Sequence, residues 1–201
     1  MVPALTINRL TSKVRKDYSG KEAVIGIMMG RYNVQNIQDA IDESYQYWHL
    51  NSDKGFDIYW AGYGKYWGKR TENQIILECA NTADGVYFDM KSFIDFKTAI
   101  QKTKKIVCKD TFQLILCNVR NGNIKYDENI VIDLEENLNG STASLREIME
   151  NVINLCKVKS NVAEVNRVII SQDIWKKVRG ISVSEIISLA SSIAGIKTGL
   201  V

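Results

Sequence analysis

The residues best suited to chemistry are four cysteines, Cys79, Cys108, Cys117 and Cys156, a single histidine, His49, and a few carboxylates. Thiol–disulfide exchange needs two cysteines close enough for one to attack and the other to resolve. Here no two form a Cys-x-x-Cys pair, and His49 has no sequence neighbour with which to complete a zinc site. Cys79 and Cys117 fall in apolar, strand-like runs and Cys156 on an apolar helix face. They read as small buried hydrophobes of a reducing compartment. Asp57 and Glu78, on what read as neighbouring strands, could be paired as nuclease carboxylates. The lysine that such a pair expects two residues after the glutamate is replaced by Ala80. Asp133, Glu135 and Glu136 read as a solvated acidic turn. No catalytic set, metal site or cofactor is expected.

Binding chemistry has a stronger signal. Nine of the eighteen aromatic residues lie between Tyr45 and Trp67, and the end of that stretch reads Trp60-Ala-Gly-Tyr-Gly-Lys-Tyr-Trp-Gly-Lys-Arg70. Rings beside glycines and cations suit contact with proteins, or stacking on bases. The helix face explains Tyr45 and Trp48, and a strand explains Phe56, Tyr59 and Trp60. Tyr63, Tyr66 and Trp67, set among Gly62, Gly64 and Gly68 with Lys65, Lys69 and Arg70, are expected to form an exposed loop. Gly30-Arg31-Tyr32-Asn33 sits at a strand-to-helix junction, where backbone N–H groups can hold an anion. It lacks a phosphate-binding glycine pattern, so Arg31 and Tyr32 are only auxiliary binding candidates. Lys102, Lys104 and Lys105, with Lys109, read as cations complementing a helix carboxyl end, or as a basic face.

The elements that position these residues follow from periodicity. A continuous apolar run over 23–29 predicts a buried strand, and Val34, Ile37, Ile41, Tyr45 and Trp48 predict a helix over about 34–49 capped by Asn33. Strands are expected at 56–60, 74–79 and 112–119. Asn121-Gly-Asn is a turn signal, after which 129–133 pairs back. Asp89 caps a helix with Phe93, Phe96 and Ile100 on its apolar face. Ser144 and Glu147 suggest a capping box ahead of the stripe Leu145, Ile148, Met149, Val152, Ile153 and Cys156. Residues 1–22 form an arm or short amphipathic helix, 23–157 an α/β domain, and 158–201 an extension. That extension ends in an amphipathic helix whose stripe of Val183, Ile186, Ile187, Ala190 and Ile193 either packs on its own domain or docks on a partner.

This order predicts an α/β fold, a mixed central sheet flanked by helices, opening on a parallel strand–helix–strand unit and closing on a hairpin and a helix. The layout resembles the thioredoxin-like fold over most of residues 23–157. The position that holds the redox motif in that family reads Met29-Gly-Arg-Tyr-Asn33, and the sole proline is Pro3. The resemblance therefore implies a redox-inactive version kept for binding. The segments 56–63 and 86–93 also resemble stretches in a group of uncharacterised bacterial proteins, some near phage-defence genes.

A 45% hydrophobic and 24% charged composition suits a globular chain, and a net charge of +3 permits an anionic partner without requiring one. The first residues lack a leader's apolar core, and no run reaches the roughly 18 apolar residues of a membrane span. A cytoplasmic placement is expected. The leading expectation is a non-catalytic adaptor or accessory subunit that binds protein in a bacterial multi-protein system. The alternative is a nucleotide or nucleic-acid binder using the aromatic–basic loop.

Overall fold

A computed structural model describes residues 2–52, 55–65, 77–78, 85–135 and 142–171. Its first elements are β1 (Val2–Ala4), α1 (Ile7–Asp17), β2 (Glu22–Met29), α2 (Gln35–Ser52), β3 (Ile58–Ala61) and β4 (Tyr63–Lys65). They are followed by β5 (Leu77–Glu78), β6 (Gly85–Phe88), α3 (Met90–Lys102), β7 (Gln113–Arg120) and β8 (Asn123–Asp133). Two helices close the described chain, α4 (Thr142–Val158) and α5 (Val162–Ser171).

The central sheet runs β1-β3-β2-β7-β8. β1 and β2 both pair parallel with β3, whereas β7 pairs antiparallel with β2 and with β8. The α/β class with a mixed central sheet is therefore as the sequence predicts. β2 is continuously apolar because both of its faces are covered. Val24 and Met28 face a core built with α2, α4 and α5, while Ile25, Ile27 and Met29 face a second core built with α1 and α3. A three-stranded antiparallel sheet, β4-β6-β5, is inserted between β3 and α3.

Local signals explain most boundaries. Asp89 accepts a hydrogen bond from Ser92 N–H at 2.6 Å and starts α3, whose Phe93, Phe96 and Ile100 are buried. Asn121 and Gly122 both have positive φ, 52° and 72°, as a tight hairpin turn requires. The six-residue apolar stripe of α4 is buried throughout.

Other boundaries differ from expectation. Residues 2–4 join the sheet as a strand, and α1 follows them. α2 starts at Gln35, and it is the Val34 carbonyl, one residue after Asn33, that accepts from Gln38 N–H at 2.8 Å. α4 begins at Thr142, which puts Ser144 inside the helix and removes the capping box. β8 spans eleven residues, because the tight turn lets pairing start at Asn123. Of the strand expected at 74–79, residues 77–78 are described, and they belong to the small sheet. Asp57 and Glu78 are thus separated, one leading into the central sheet and the other in β5. α5 was not foreseen, and the apolar stripe from Val183 to Ile193 lies outside the described residues.

Candidate functional site

The glycine–aromatic stretch begins as structure. Tyr63, expected in an exposed loop, is fully buried on β4, with its ring 5.2 Å from Trp60 and 5.1 Å from Phe88. Its hydroxyl donates to the Gly30 carbonyl at 3.1 Å. Burial raises the phenol well above its ordinary value, with further upward pushes from Tyr32 and Asp42, so it stays a neutral donor. Gly62 and Gly64 are not there for flexibility. Any side chain at Gly62 would strike Phe93, and one at Gly64 would strike Tyr87. The glycines let β4 lie close against α3 and β6, while the Tyr63 ring packs into the core on the α2 side. Trp60, Tyr45 and Trp48 are core residues, as expected. Lys65 is exposed at the end of β4. Tyr66, Trp67, Lys69 and Arg70 lie outside the described residues.

Tyr63 ties this segment to the loop between β2 and α2. Gly30 packs on Phe112, where a Cβ would stand 2.7 Å from the ring edge. Tyr32, half-buried, donates to Asp42 at 2.8 Å, and burial followed by that carboxylate raises its phenol. Arg31 sends one N–H to the Asp110 carbonyl at 3.5 Å, and its other donors have no partner among the described residues. The Asp110 side chain takes an ion pair from Lys97 at 2.6 Å. The Lys97 ammonium, and to a lesser degree Arg31, hold this carboxyl below its ordinary value. Asp133 accepts from the Thr111 hydroxyl at 2.9 Å, and Glu135 from Phe112 N–H at 3.2 Å. Both carboxylates thus brace the segment entering β7, where a solvated acidic turn was expected.

The structure therefore brings Arg31, Tyr32 and Tyr63 together at the carboxyl ends of β2 and β3, with Lys97 and Asp110 beside them. Sequence reading had not linked Lys97 or Asp110 to the site, because their contacts span 13 residues or more.

The reactive groups lie elsewhere. Cys108, Cys117 and Cys156 are buried free thiols. Desolvation pushes the Cys108 thiol up to about 11 and raises the other two further. Asp57 accepts from the Tyr18 hydroxyl at 2.8 Å, and His49 stacks on Tyr45 at 6.1 Å. No cluster of three or more potential metal ligands, and no helix long and apolar enough to cross a membrane, occurs among the described residues. Compared with protein-family models, curated proteins and solved structures, the chain matches none.

Proposed function

We propose that the chain is a redox-inactive protein of thioredoxin-like arrangement that works by binding another protein, as an adaptor or accessory subunit of a bacterial multi-protein system such as anti-phage defence. The strand order β3-β2-β7-β8, parallel at β2/β3 and antiparallel beyond, supports the arrangement. So does the placement of α1 and α3 on one face and α2 and α4 on the other.

The observation that carries the binding reading is the use made of the Gly30–Asn33 loop. In a redox protein of this arrangement the reactive thiols stand here. In this chain the Gly30 carbonyl and the Tyr32 hydroxyl are engaged within the fold, and the half-buried Arg31 keeps donors with no partner among the described residues. A cation with free planar donors recognises a carboxylate-bearing partner without making or breaking bonds.

Affinity capture from the native host with the wild-type chain and with Arg31→Ala tests this. A partner recovered stoichiometrically by wild type and lost from the variant supports the reading. Recovery of no partner by either chain, with a strictly monomeric mass by light scattering, refutes it. Thiol–disulfide reductase activity in the purified chain would equally overturn it.

A further inference from the structure

The segment after α3 extends the same surface and has a form that selects its ligand. Ile106 and Cys108 point into the core, while Val107 is 73% exposed and Lys105 and Lys109 are exposed on either side. Inward and outward side chains alternate as they do along an extended strand. Yet the segment pairs with no strand, and neither the N–H nor the carbonyl of Val107 has a hydrogen-bond partner among the described residues. The segment is held from behind: Asn129 Nδ2 donates to the Lys105 carbonyl at 3.2 Å and Gln101 Nε2 to the Cys108 carbonyl at 3.1 Å.

Cations at a helix carboxyl end ordinarily answer the helix dipole. That accounts for Lys102, in the last turn of α3. The closing carbonyls of α3 are already met by neutral donors, since Thr103 N–H bonds Ile100 at 3.0 Å and Lys104 N–H bonds Gln101 at 2.9 Å. Lys104 itself has φ 55°, at a helix end where glycine would be the relaxed choice. Lys105 makes no ion pair among the described residues, and Lys109 only a loose one of 3.8 Å to Asp133. The dipole does not reach these lysines, which lie beyond the last turn.

We propose that the outward row Lys105–Val107–Lys109 binds an extended acidic segment of a partner protein, with an apolar residue seated on Val107 between two carboxylates. The free Val107 backbone groups pair with the segment's main chain, as in strand addition. A nucleic acid fits less well, because the row offers neither an aromatic ring for stacking nor an arginine, and a phosphate backbone makes no use of the exposed valine. The row ends beside Asp110, whose carbonyl Arg31 contacts, so it continues the candidate site. The inference rests on the protein-binding reading and names the chemistry of the partner.

Fluorescence anisotropy at low salt with the full chain tests it, using a labelled glutamate peptide with one central leucine, polyglutamate of the same charge, and a single-stranded DNA of the same charge. The leucine peptide is expected to bind about fivefold more tightly than polyglutamate, and Lys105→Glu with Lys109→Glu to weaken it about tenfold. Val107→Ser should lower affinity for the leucine peptide about threefold and leave polyglutamate unchanged. All three positions are exposed, and circular dichroism checks that the variants fold. Preference for DNA, equal affinity for both peptides, or indifference to the substitutions overturns the inference. If the native partner is captured but survives the lysine reversals, this inference fails while the protein-binding reading stands.

Discussion

At Gly62 the backbone φ is +79°, and a methyl group there would lie 2.6 Å from Phe93 Cβ. Both the conformation and the space exclude a side chain, so Gly62→Ala should cost about 2–4 kcal/mol in urea unfolding. Gly55 has φ +90° with nothing near its Cβ position. Alanine there should cost only the conformational part, about 1 kcal/mol. The comparison separates strain from collision, and equal losses at the two sites would show that the approach of β4 to α3 is not tight. Tyr63→Phe removes one buried hydrogen bond and leaves the Gly30 carbonyl unpaired, a loss of about 1–3 kcal/mol. Tyr63→Ala should lose about 3–5 kcal/mol, whereas a neutral effect would return the ring to the surface loop that its sequence context suggests. That context misleads because, besides the local Trp60, the neighbours that engage Tyr63 are Phe88 and Gly30, both distant in the chain. Lys65, expected in the same loop, closes strand β4 with its side chain exposed.

Helix α5 shows the same limit for an element. Its apolar positions Val162, Val165 and Ile169 are buried but few, and one N–H of its first turn is met by a residue 44 positions away. Asn118, on β7 beside the irregular register at Cys117/Asn118, accepts from Val162 N–H at 2.8 Å. Its amide donates to Glu128, which also holds Arg120 through two contacts of 2.7 Å. Asn161 caps the helix locally, its side chain accepting from Ala163 N–H at 2.7 Å, and the side chain from the sheet meets one further open N–H. Asn118→Ala should destabilise the chain by roughly 1–3 kcal/mol, since it orphans the Val162 N–H while Glu128 keeps both contacts to Arg120. Amide exchange in α5 should quicken before exchange in β2. Uniform quickening across both elements would show that α5 has no separate attachment. α3 and α4 were readable because their signals are contained within them, an aspartate cap in one and an uninterrupted stripe in the other. The parallel pairing of β2 with β3 was readable from the helix between them, but the small sheet was not, since Tyr63 pairs with Phe88, far along the chain.

Across the whole molecule, buried thiols and phenols set the response to alkali. Cys117 and Tyr63 have folded-state values raised above 9.0 and 10.0, their ordinary ones, chiefly by desolvation. Each holds its proton more tightly in the folded chain than in the unfolded one. Their contribution is intact below the ordinary value and is lost as pH climbs from there toward the folded value. Stability should therefore fall from about pH 9 upward, by up to about 1.4 kcal/mol per pH unit for each such group. Urea midpoints measured between pH 7 and 11 check this, and a flat profile would mean that the two groups are not buried. One further consequence belongs to optics. The indoles of Trp48 and Trp60 lie 5.9 Å apart at 30°, with Tyr63 edge-on to Trp60. Transition dipoles that close and that skewed couple, so the native chain should display an exciton couplet in its circular dichroism. The couplet would vanish with Trp48→Phe and would serve as a built-in signal for closure of the core around β3.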